Sequence, residues 1–311
     1  MNIKQTPSLP KNTVVIGGVN RDIKSRFHEQ AIFLADSHQG VIARHDGGVG
    51  RNIAEVLGRL GVPTLLIGAF GDDAESRAMA EHLISNHVDL SHAFIAEDCG
   101  ADTFIAVHDH KGELITAINQ MPLIEAITPD YIQAKSKVIC QADFVICDCN
   151  LTEETLQAIA SLERDGALVI DAVSTAKIHK IKTITEKIDI LKLSHNEALS
   201  LCDAPKDTDA NSLIHQLCLR GITQVLISDG ANGFTINEGD IIHHINAITA
   251  APQSVTGAGD CLLGGYIFGL AHGHCVITSS GFGRQAAYLS TKTIAAINDF
   301  ISPDNILATP D

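Results

Sequence analysis

The stretch Phe144-Val145-Ile146-Cys147-Asp148 decides the fold class, because four apolar residues run without interruption into a carboxylate. An apolar run this short is typical of a strand that is buried on both faces of a sheet. The same pattern recurs elsewhere in the chain, and each copy predicts a further strand. These copies are Thr13 to Ile16 followed by Gly17-Gly18, Thr64 to Gly68, Leu168 to Ile170 and Val225 to Ile227.

Segments with helical periodicity separate these runs. Asn52 to Leu60 carries apolar residues at i, i+3, i+4 and i+7, and a glycine and a proline follow it. Glu153 to Arg164 and Asn211 to Arg220 have helix length. This alternation predicts an α/β fold whose largely parallel sheet is covered on both faces. Ligands bind such sheets at the carboxyl ends of the strands, where the runs end in Asp148, Asp171 and Ser228.

One region departs from the alternation. Two β runs, Thr103 to His108 and Glu113 to Ile118, flank a turn that contains Gly112, which predicts a hairpin. The segment from Phe27 to Arg44 has similar β character. We therefore expect one α/β domain over residues 1–311 that includes a β lid formed by about 22–46 and 94–120. Lids of this kind cover binding sites.

Composition excludes several classes of partner. The chain has 311 residues, is 45% apolar and carries a formal charge of −15, which is globular but gives no basic footprint for nucleic acid or an anionic membrane. No stretch has the ~18 consecutive apolar residues of a membrane helix. Met1 to Asn12 is polar, and the eight cysteines suit reduced thiols. We therefore expect a cytoplasmic protein.

The stretch from Val255 to Asp260, Val-Thr-Gly-Ala-Gly-Asp, is the sharpest chemical signal. Two glycines flank a small residue where an apolar helix begins, so free backbone amides can converge on an anion. Asp260, in the first turn, can accept a proton from an attacking hydroxyl. The alternative is a tight turn with a capping carboxylate, and local physics alone leaves both open.

Two weaker signals lie nearer the N-terminus. Gly47-Gly48-Val49-Gly50-Arg51-Asn52 opens the first predicted helix, and it could admit a ligand to its backbone or serve as a plain turn. It is not a P-loop, because the required Gly-Lys-Ser/Thr ending is absent. Asn20 and Asp22 follow the first strand and could hold sugar hydroxyls, although both are also common turn formers.

Together these motifs resemble the ribokinase-like (PfkB) carbohydrate kinase family over about residues 13–300. The resemblance implies a three-layer α/β sandwich with a β lid. It also implies that ATP is the donor and that a hydroxymethyl group of a sugar or nucleoside is the acceptor. Within the family, Ala35-Asp36-Ser37, Ala117 to Met121 and Asp148-Cys149-Asn150 resemble the pseudouridine kinase subgroup. That subgroup acts on a small neutral nucleoside.

The resemblance also implies roles for individual residues. Asp260 would be the general base for the 5′-hydroxyl, and Gly257, Ala258 and Gly259 would form the anion hole. Glu197 would organise the Mg²⁺ that accompanies ATP. The acceptor would be held by Asn20, Asp22, Gly48, Asn52, Thr103 and Asn119. The nucleotide would be held by Ser194, Thr256, Gly230 and Gly233.

One departure from the family pattern concerns the metal. The usual Asn-x-x-Glu motif is Ser194-His195-Asn196-Glu197 here, and the shorter side chain loses an amide. We therefore expect Glu197 to act on Mg²⁺ through water. A monovalent cation such as K⁺ near the anion hole, as in several relatives, is left open. The lid strands offer edges for a homodimer.

Two alternatives to this reading stay open. One is a sister kinase that acts on another nucleoside or on a free sugar such as ribose. The other is a catalytically weak, ligand-binding relative, which Ser194 favours and the intact Thr256-to-Asp260 motif disfavours.

Overall fold

The computed structural model describes residues 10–30, 33, 35–249 and 251–307, so residues 1–9 of the polar N-terminal stretch lie outside it. All five predicted strands are present, with ends within one or two residues of those expected. In chain order the strands are β1 (Thr13–Ile16), β2 (Asn20–Phe27), β3 (Gly40–Gly47), β4 (Thr64–Ile67), β5 (Ala69–Phe70), β6 (Val88–Asp89), β7 (Phe94–Ile95), β8 (Thr103–His108), β9 (Leu114–Gln120), β10 (Phe144–Asp148), β11 (Ala167–Asp171), β12 (Ile190–Ser194), β13 (Gln224–Ser228), β14 (Phe234–Glu238) and β15 (Ile241–Ile245).

The predicted helices are also present, although the first begins earlier than expected, at Val49, and the other two end earlier. Gly48 causes the early start, because its φ of 98° turns the chain directly into the helix. In chain order the helices are α1 (Val49–Arg59), α2 (Ala74–Ser85), α3 (Pro129–Ala134), α4 (Ser136–Cys140), α5 (Glu153–Ser161), α6 (His195–Cys202), α7 (Ala210–Cys218), α8 (Ala258–Ala271), α9 (Val276–Ser290) and α10 (Pro303–Leu307).

The large sheet has the order β15-β14-β13-β12-β11-β10-β1-β4-β6. Every pairing from β13 to β6 is parallel, as the alternation predicts. The pairings of β14 and β15 are antiparallel, an extension that the sequence patterns did not indicate. The parallel part brings the carboxyl ends of β1, β10, β11, β12 and β13 to one edge.

Two apolar cores lie on opposite faces of this sheet. In β1, Val14 and Ile16 belong to one core and Val15 to the other, as the period-two alternation of a strand requires. The first core includes side chains of α3 to α7, and the second those of α1, α2, α8 and α9. The predicted three-layer α/β sandwich is therefore present.

A separate four-stranded sheet, β3-β2-β8-β9, forms the lid. The predicted hairpin is its β8-β9 pair, with Gly112 in the turn at a φ of 90°. The expected boundaries need two corrections. The lid begins at Asn20, and residues 94–95 belong to a small sheet with β5 instead. Phe94 and Ile95 pair with β5, so the lid includes only the residues from Thr103 onward.

Candidate active site

Asp148 joins the sheet edge to the first helix. Its Oδ2 accepts hydrogen bonds from the amides of Gly18, at 2.8 Å, and Gly50, at 2.7 Å. Its Oδ1 accepts from the amide of Asn150 at 2.9 Å. Burial raises the pKa of Asp148, so the three amide donors supply the stabilisation that its charged form requires. The carboxylate thereby fixes the turn after β1 against the start of α1.

The start of α8 leaves backbone amides without helical acceptors, although the amide of Ala258, which the sequence analysis included, is already bonded. Gly257 caps the helix with a φ of 79°, and a Cβ there would lie 2.1 Å from the carbonyl oxygen of Ala296. The first helical hydrogen bond runs from the amide of Cys261 to Gly257 at 2.9 Å. The amides of Gly259 and Asp260 precede that bond and can face an anion. The amide of Ala258 donates to Val255 at 3.3 Å.

Asp260 and Asn52, which are 208 residues apart, meet at this point. The Nδ2 of Asn52 donates to the Oδ2 of Asp260 at 2.7 Å, and both side chains are buried. The structure thus joins the Gly47-to-Asn52 turn and the start of α8 in one site. Neither motif could establish this contact alone.

The surroundings of Asp260 keep its carboxyl near the protonation midpoint at neutral pH. Burial is the largest effect and raises its pKa, and the charge of Asp171 raises it further. The charge of Lys192 and the hydrogen bond from Asn52 oppose this rise, and the balance raises the pKa to about 7. A general base near the working pH is well matched to proton abstraction.

Lys192 is a site residue that the sequence analysis missed. It lies on β12, is 7% exposed, and its Nζ is 2.8 Å from the Oδ2 of Asp171. A Cβ on Gly259 would lie 2.6 Å from Nζ, so the glycine lets the lysine approach the anion-binding turn. Burial alone would lower the pKa of Lys192, but Asp171 and Asp260 outweigh it and raise the pKa. The ammonium of Lys192 therefore stays positively charged beside the amides at the start of α8.

A signal for Lys192 was present in the sequence. It interrupts the apolar run Ile190-Leu191-Lys192-Leu193, and a lysine inside a buried strand requires a partner. The run was not recognised as a strand, so the anomaly was not visible.

The wall around Gly18 is built from side chains of the Ala117-to-Met121 and Asp148-to-Asn150 stretches. A Cβ on Gly18 would lie 2.6 Å from the Nδ2 of Asn150 and 3.2 Å from the Cε of Met121. Lys177 donates to the Oδ1 of Asn150 at 2.5 Å, which leaves the amide nitrogen facing Gly18. Residues from three separate stretches therefore converge on the glycine turn after β1.

The lid contributes one row of side chains toward the site. Asp22 pairs with His45 and with Phe104, and Phe104 pairs with Asn119, so the four share one face of the sheet. The Oδ1 of Asp22 accepts from Asn20 at 2.6 Å. A Cβ on Gly47, the residue before Gly48, would lie 2.5 Å from Oδ1 of Asp22, which places this face at the α1 turn.

Thr103 lies on the other face of the lid. It is in register with Arg21 and Gln120, one residue out of the row that holds Asn119, and its hydroxyl donates to Ala101 at 3.0 Å. The structure therefore does not bring Thr103 and Asn119 to a common surface. The one-residue alternation of a strand separates them, and the geometry favours Asn119 as the acceptor contact.

Ser194 and Glu197 form a capping box at the start of α6. The amide of Ser194 donates to the Oε2 of Glu197 at 2.7 Å, and the amide of Glu197 donates to the Oγ of Ser194 at 3.4 Å. Serine is a preferred N-cap, so the departure from the family pattern is accommodated structurally. The negative charge of Glu197 also raises the pKa of Lys192, so Glu197 lies near the candidate site.

A metal ion at this site would have to bring most of its own ligands. Within residues 10–30, 33, 35–249 and 251–307, no cluster of three or more His, Cys, Asp or Glu side chains could enclose one. The capping box uses Oε2 of Glu197, so Oε1 is the oxygen that would face the hydration shell of such an ion. Mg²⁺ in nucleotide sites commonly keeps water and phosphate oxygens and uses few carboxylates.

The remaining predicted nucleotide residues lie in turns at the same end of the molecule. Gly230, with a φ of 53°, begins the turn that follows β13, and a Cβ there would meet no atom within 4 Å. Gly233 ends that turn, and a Cβ there would lie 2.0 Å from the carbonyl oxygen of Ile245. The amide of Thr256, which directly precedes Gly257, donates to the Oγ of Ser254 at 3.1 Å.

Two other features of the described chain bear on function. No helix in the described ranges is long and apolar enough to cross a membrane. Cys147 and Cys149 are buried without a disulfide, and burial raises the pKa of both thiols. Buried thiols with raised pKa are typical of a structural role.

A buried carboxylate beside helix-start amides and a fixed positive charge suits the transfer of a phosphoryl group to an alcohol, a reaction that depends on positioning and charge stabilisation. The model of the pfkB family carbohydrate kinase matches residues 10–303. The chain therefore belongs to this family and is a sugar or nucleoside kinase.

Individual relatives span nearly the whole chain. Pseudouridine kinase of Escherichia coli is 29% identical over 301 residues, which cover 95% of each chain. The uncharacterized sugar kinase YeiI of Escherichia coli is 28% identical over 305 residues, 95% of this chain and 82% of that protein. Ribokinase of Arabidopsis thaliana, solved with ribose and ATP, has a TM-score of 0.82 at 18% identity and covers 96% of this chain and 98% of its own. That likeness shows the shared fold.

Proposed function

We propose that the protein phosphorylates the 5′-hydroxyl of pseudouridine and uses ATP as the donor. The observation that carries the choice of acceptor is the wall around Gly18. Asn150 and Met121, from two stretches that resemble the pseudouridine kinase subgroup, meet there beside the Gly47-to-Asn52 turn. The 29% identity with the pseudouridine kinase of Escherichia coli over 95% of each chain favours the same acceptor.

Asp260 is the proposed general base. Its carboxylate takes the proton of the acceptor's 5′-hydroxyl as the hydroxyl oxygen forms a bond to the γ-phosphorus of ATP. The bond from that phosphorus to the β,γ-bridging oxygen breaks, and ADP leaves with the electron pair. The products are pseudouridine 5′-phosphate, ADP and the proton first held by Asp260.

The chain's own groups supply most of the charge stabilisation. In this proposal the amides of Gly259 and Asp260 and the ammonium of Lys192, which lie close together, face the migrating phosphoryl group and stabilise its negative charge. Mg²⁺ held with the nucleotide near Glu197 would neutralise further charge. The proposed acceptor is neutral, so the overall charge of −15 does not repel it. The positive potential that a phosphate requires is built locally.

The test is ADP release measured with pseudouridine, uridine, adenosine and ribose as acceptors, with and without Mg²⁺ and K⁺. We expect the largest kcat/KM with pseudouridine and no turnover without Mg²⁺. Equal kcat/KM values for pseudouridine and uridine, or a preference for ribose, would contradict the proposed acceptor. Binding of pseudouridine without ADP release would favour the ligand-binding alternative.

We also propose that two copies associate through the lid. Ile42 and Ile118 are 64% and 62% exposed. Both occupy the lid face that carries Thr103, away from the acceptor row. An exposed apolar face on a thin sheet is typical of an interaction surface, and a second copy offers a matching one.

A further inference from the structure

Arg51 is a buried arginine that the roles described above leave unused. It lies on α1 with a side chain that is 3% exposed, and it pairs with Glu55 one helical turn further on. A simple structural ion pair would need no more than this. The Nη1 of Arg51, however, also donates to the Oδ1 of Asn52 at 2.8 Å.

That bond determines which way the amide of Asn52 faces. Arg51 has only hydrogen-bond donors, and the ionised carboxylate of Asp260 has only acceptors. The amide lies between them, so only one orientation satisfies both contacts, with oxygen toward Arg51 and nitrogen toward Asp260. The opposite orientation would set donor against donor and acceptor against acceptor.

We propose that Arg51 is a positioning residue for the general base. By holding the oxygen of Asn52, it keeps the amide nitrogen aimed at Asp260 and so maintains the carboxylate in its proton-accepting form. This inference rests on the proposed function, in which Asp260 takes the proton of the acceptor.

The arrangement also ties the base to the lid. The Oδ2 of Asp46, on lid strand β3, is 3.7 Å from the Nη2 of Arg51, and Arg21 on β2 pairs with the same carboxylate. Side chains therefore connect the lid to Asp260 without a break, through Asp46, Arg51 and Asn52. The orientation of Asn52 is supported by Glu55 on its own helix and by the lid.

Loss of Arg51 has an effect that can be distinguished from general damage. Freed from Arg51, the amide of Asn52 can rotate, and the charged form of Asp260 loses a hydrogen bond that lowers its pKa. The other charged groups that face Asp260 are Asp171 on β11, Lys192 on β12 and Asp148 on β10. These stay in place, so the shift measured reports the loss of Arg51, through its hold on the amide of Asn52 and through its own positive charge.

The experiment is the pH dependence of kcat/KM for the acceptor in Arg51→Ala. A hydrogen bond to a charged group is strong enough to move the acidic limb upward by about one pH unit. Below the limb the variant should therefore be about tenfold slower than the wild type, since kcat/KM follows the ionised fraction. Above the shifted limb the two profiles should converge.

The matched control is Arg59→Met. Like Arg51, Arg59 pairs with the carboxylate of Glu55, with its Nε 2.8 Å from Oε1, but it makes no hydrogen bond to Asn52. This variant removes a guanidinium from the same ion-pair network, so its acidic limb should match that of the wild type.

Chemical rescue gives a second readout. Arg51, Glu55, Arg59 and His82 line a cavity of about 410 Å³, into which a small cation can diffuse. Guanidinium chloride at low, non-denaturing concentration should return the limb of Arg51→Ala toward the wild-type position. Sodium chloride at equal ionic strength should not.

If Arg51→Ala does not fold, Arg51→Ala with Glu55→Gln removes the arginine and the charge of its partner together, and the same limb shift is expected. An unshifted limb in the folded variant, or a loss equal at every pH, overturns the inference. An equal shift in Arg59→Met overturns it as well. Asp260→Asn that keeps its turnover would overturn the proposed function instead, so the two failures are distinguishable.

Discussion

The floor of the site and the lid above it differ in how completely the chain satisfies their side chains. On the floor, Asp148, Asp171, Lys192 and Asp260 are each less than 10% exposed and each has a bonded partner. In the lid, every residue of β9 is exposed, and apolar side chains such as Ile118 face solvent. The floor is therefore complete before substrate arrives, whereas the lid leaves exposed surface that an acceptor or, in the proposed dimer, a second copy would cover.

The floor and the lid are therefore expected to determine different properties of the enzyme. The floor sets charge and proton affinity through buried contacts, which define the reaction class. The lid presents a row that ends in Asn119 on a thin, exposed sheet, where in the proposed function a few side chains would select the acceptor. Changes on the floor should therefore affect kcat strongly, and changes on the lid should affect KM and self-association.

The largest effect is expected from Asp260→Asn. The amide cannot take the hydroxyl proton, and an aligned base contributes about 10²–10⁴-fold in rate. We expect kcat in ADP release to fall by that factor while the thermal unfolding temperature changes little. Asp240→Asn, an exposed turn residue, is the control and should keep wild-type turnover. Near-normal kcat in Asp260→Asn would remove Asp260 from the mechanism.

Lys192→Met should have the next largest effect. Removing a preorganised positive group beside a developing anion costs roughly 10²–10³-fold in kcat. The single change also leaves Asp171 buried without its partner, which destabilises the fold. The double variant Asp171→Asn with Lys192→Met should regain thermal stability but not turnover. If the double variant regained turnover, the role of Lys192 would be structural only.

The pH dependence of the wild type should report the protonation state of Asp260 directly. Asp260 accepts a proton only when ionised, and its pKa is raised to about 7. The kcat/KM for the acceptor should therefore be level at higher pH and fall about tenfold per unit below about pH 7. Circular dichroism over the same range checks that the protein stays folded. An acidic limb near pH 4, the ordinary range of an aspartate, would show that burial does not control the base.

The smallest effect on turnover is expected from Ile118→Lys on the outer face of the lid. A charge there opposes an apolar contact between copies, so sedimentation should show a shift from dimer to monomer. Because the floor is untouched, kcat should stay within a few-fold of the wild type. Lys111→Ala, at the tip of the β8-β9 hairpin, should change neither. A wild type that sediments as a monomer would contradict the proposed lid dimer.

The sequence predicted those parts of the fold whose pattern is local. Continuous apolar runs such as Phe144 to Cys147 identified the buried parallel strands, and the period of Ile53 to Leu60 identified α1. The helix start at Gly257 followed from two glycines before an apolar segment. Helix α9 was not predicted, since serines and glycines dilute its apolar periodicity.

A candidate site residue could be proposed from the sequence only where a single local motif contains it. Asp260 was identified from its own motif, but its contact with Asn52 depends on tertiary packing across 208 residues. Arg51 and Glu55 have the i, i+4 spacing of a helical ion pair, which is common on solvated surfaces, and only the fold shows that the pair is buried. For Thr103 the limit was strand register, because a shift of one residue exchanges the two faces of the lid.

The identity of the phosphorylated hydroxyl tests the central claim most directly. The measurement is the proton-coupled ³¹P NMR spectrum of the product formed from pseudouridine and ATP. Phosphate on the 5′-hydroxyl couples to the two protons of a methylene group, so we predict a triplet that appears together with ADP. A doublet, which a phosphate on a secondary ring hydroxyl gives, or the absence of any new phosphate ester while ribose is turned over, would contradict it.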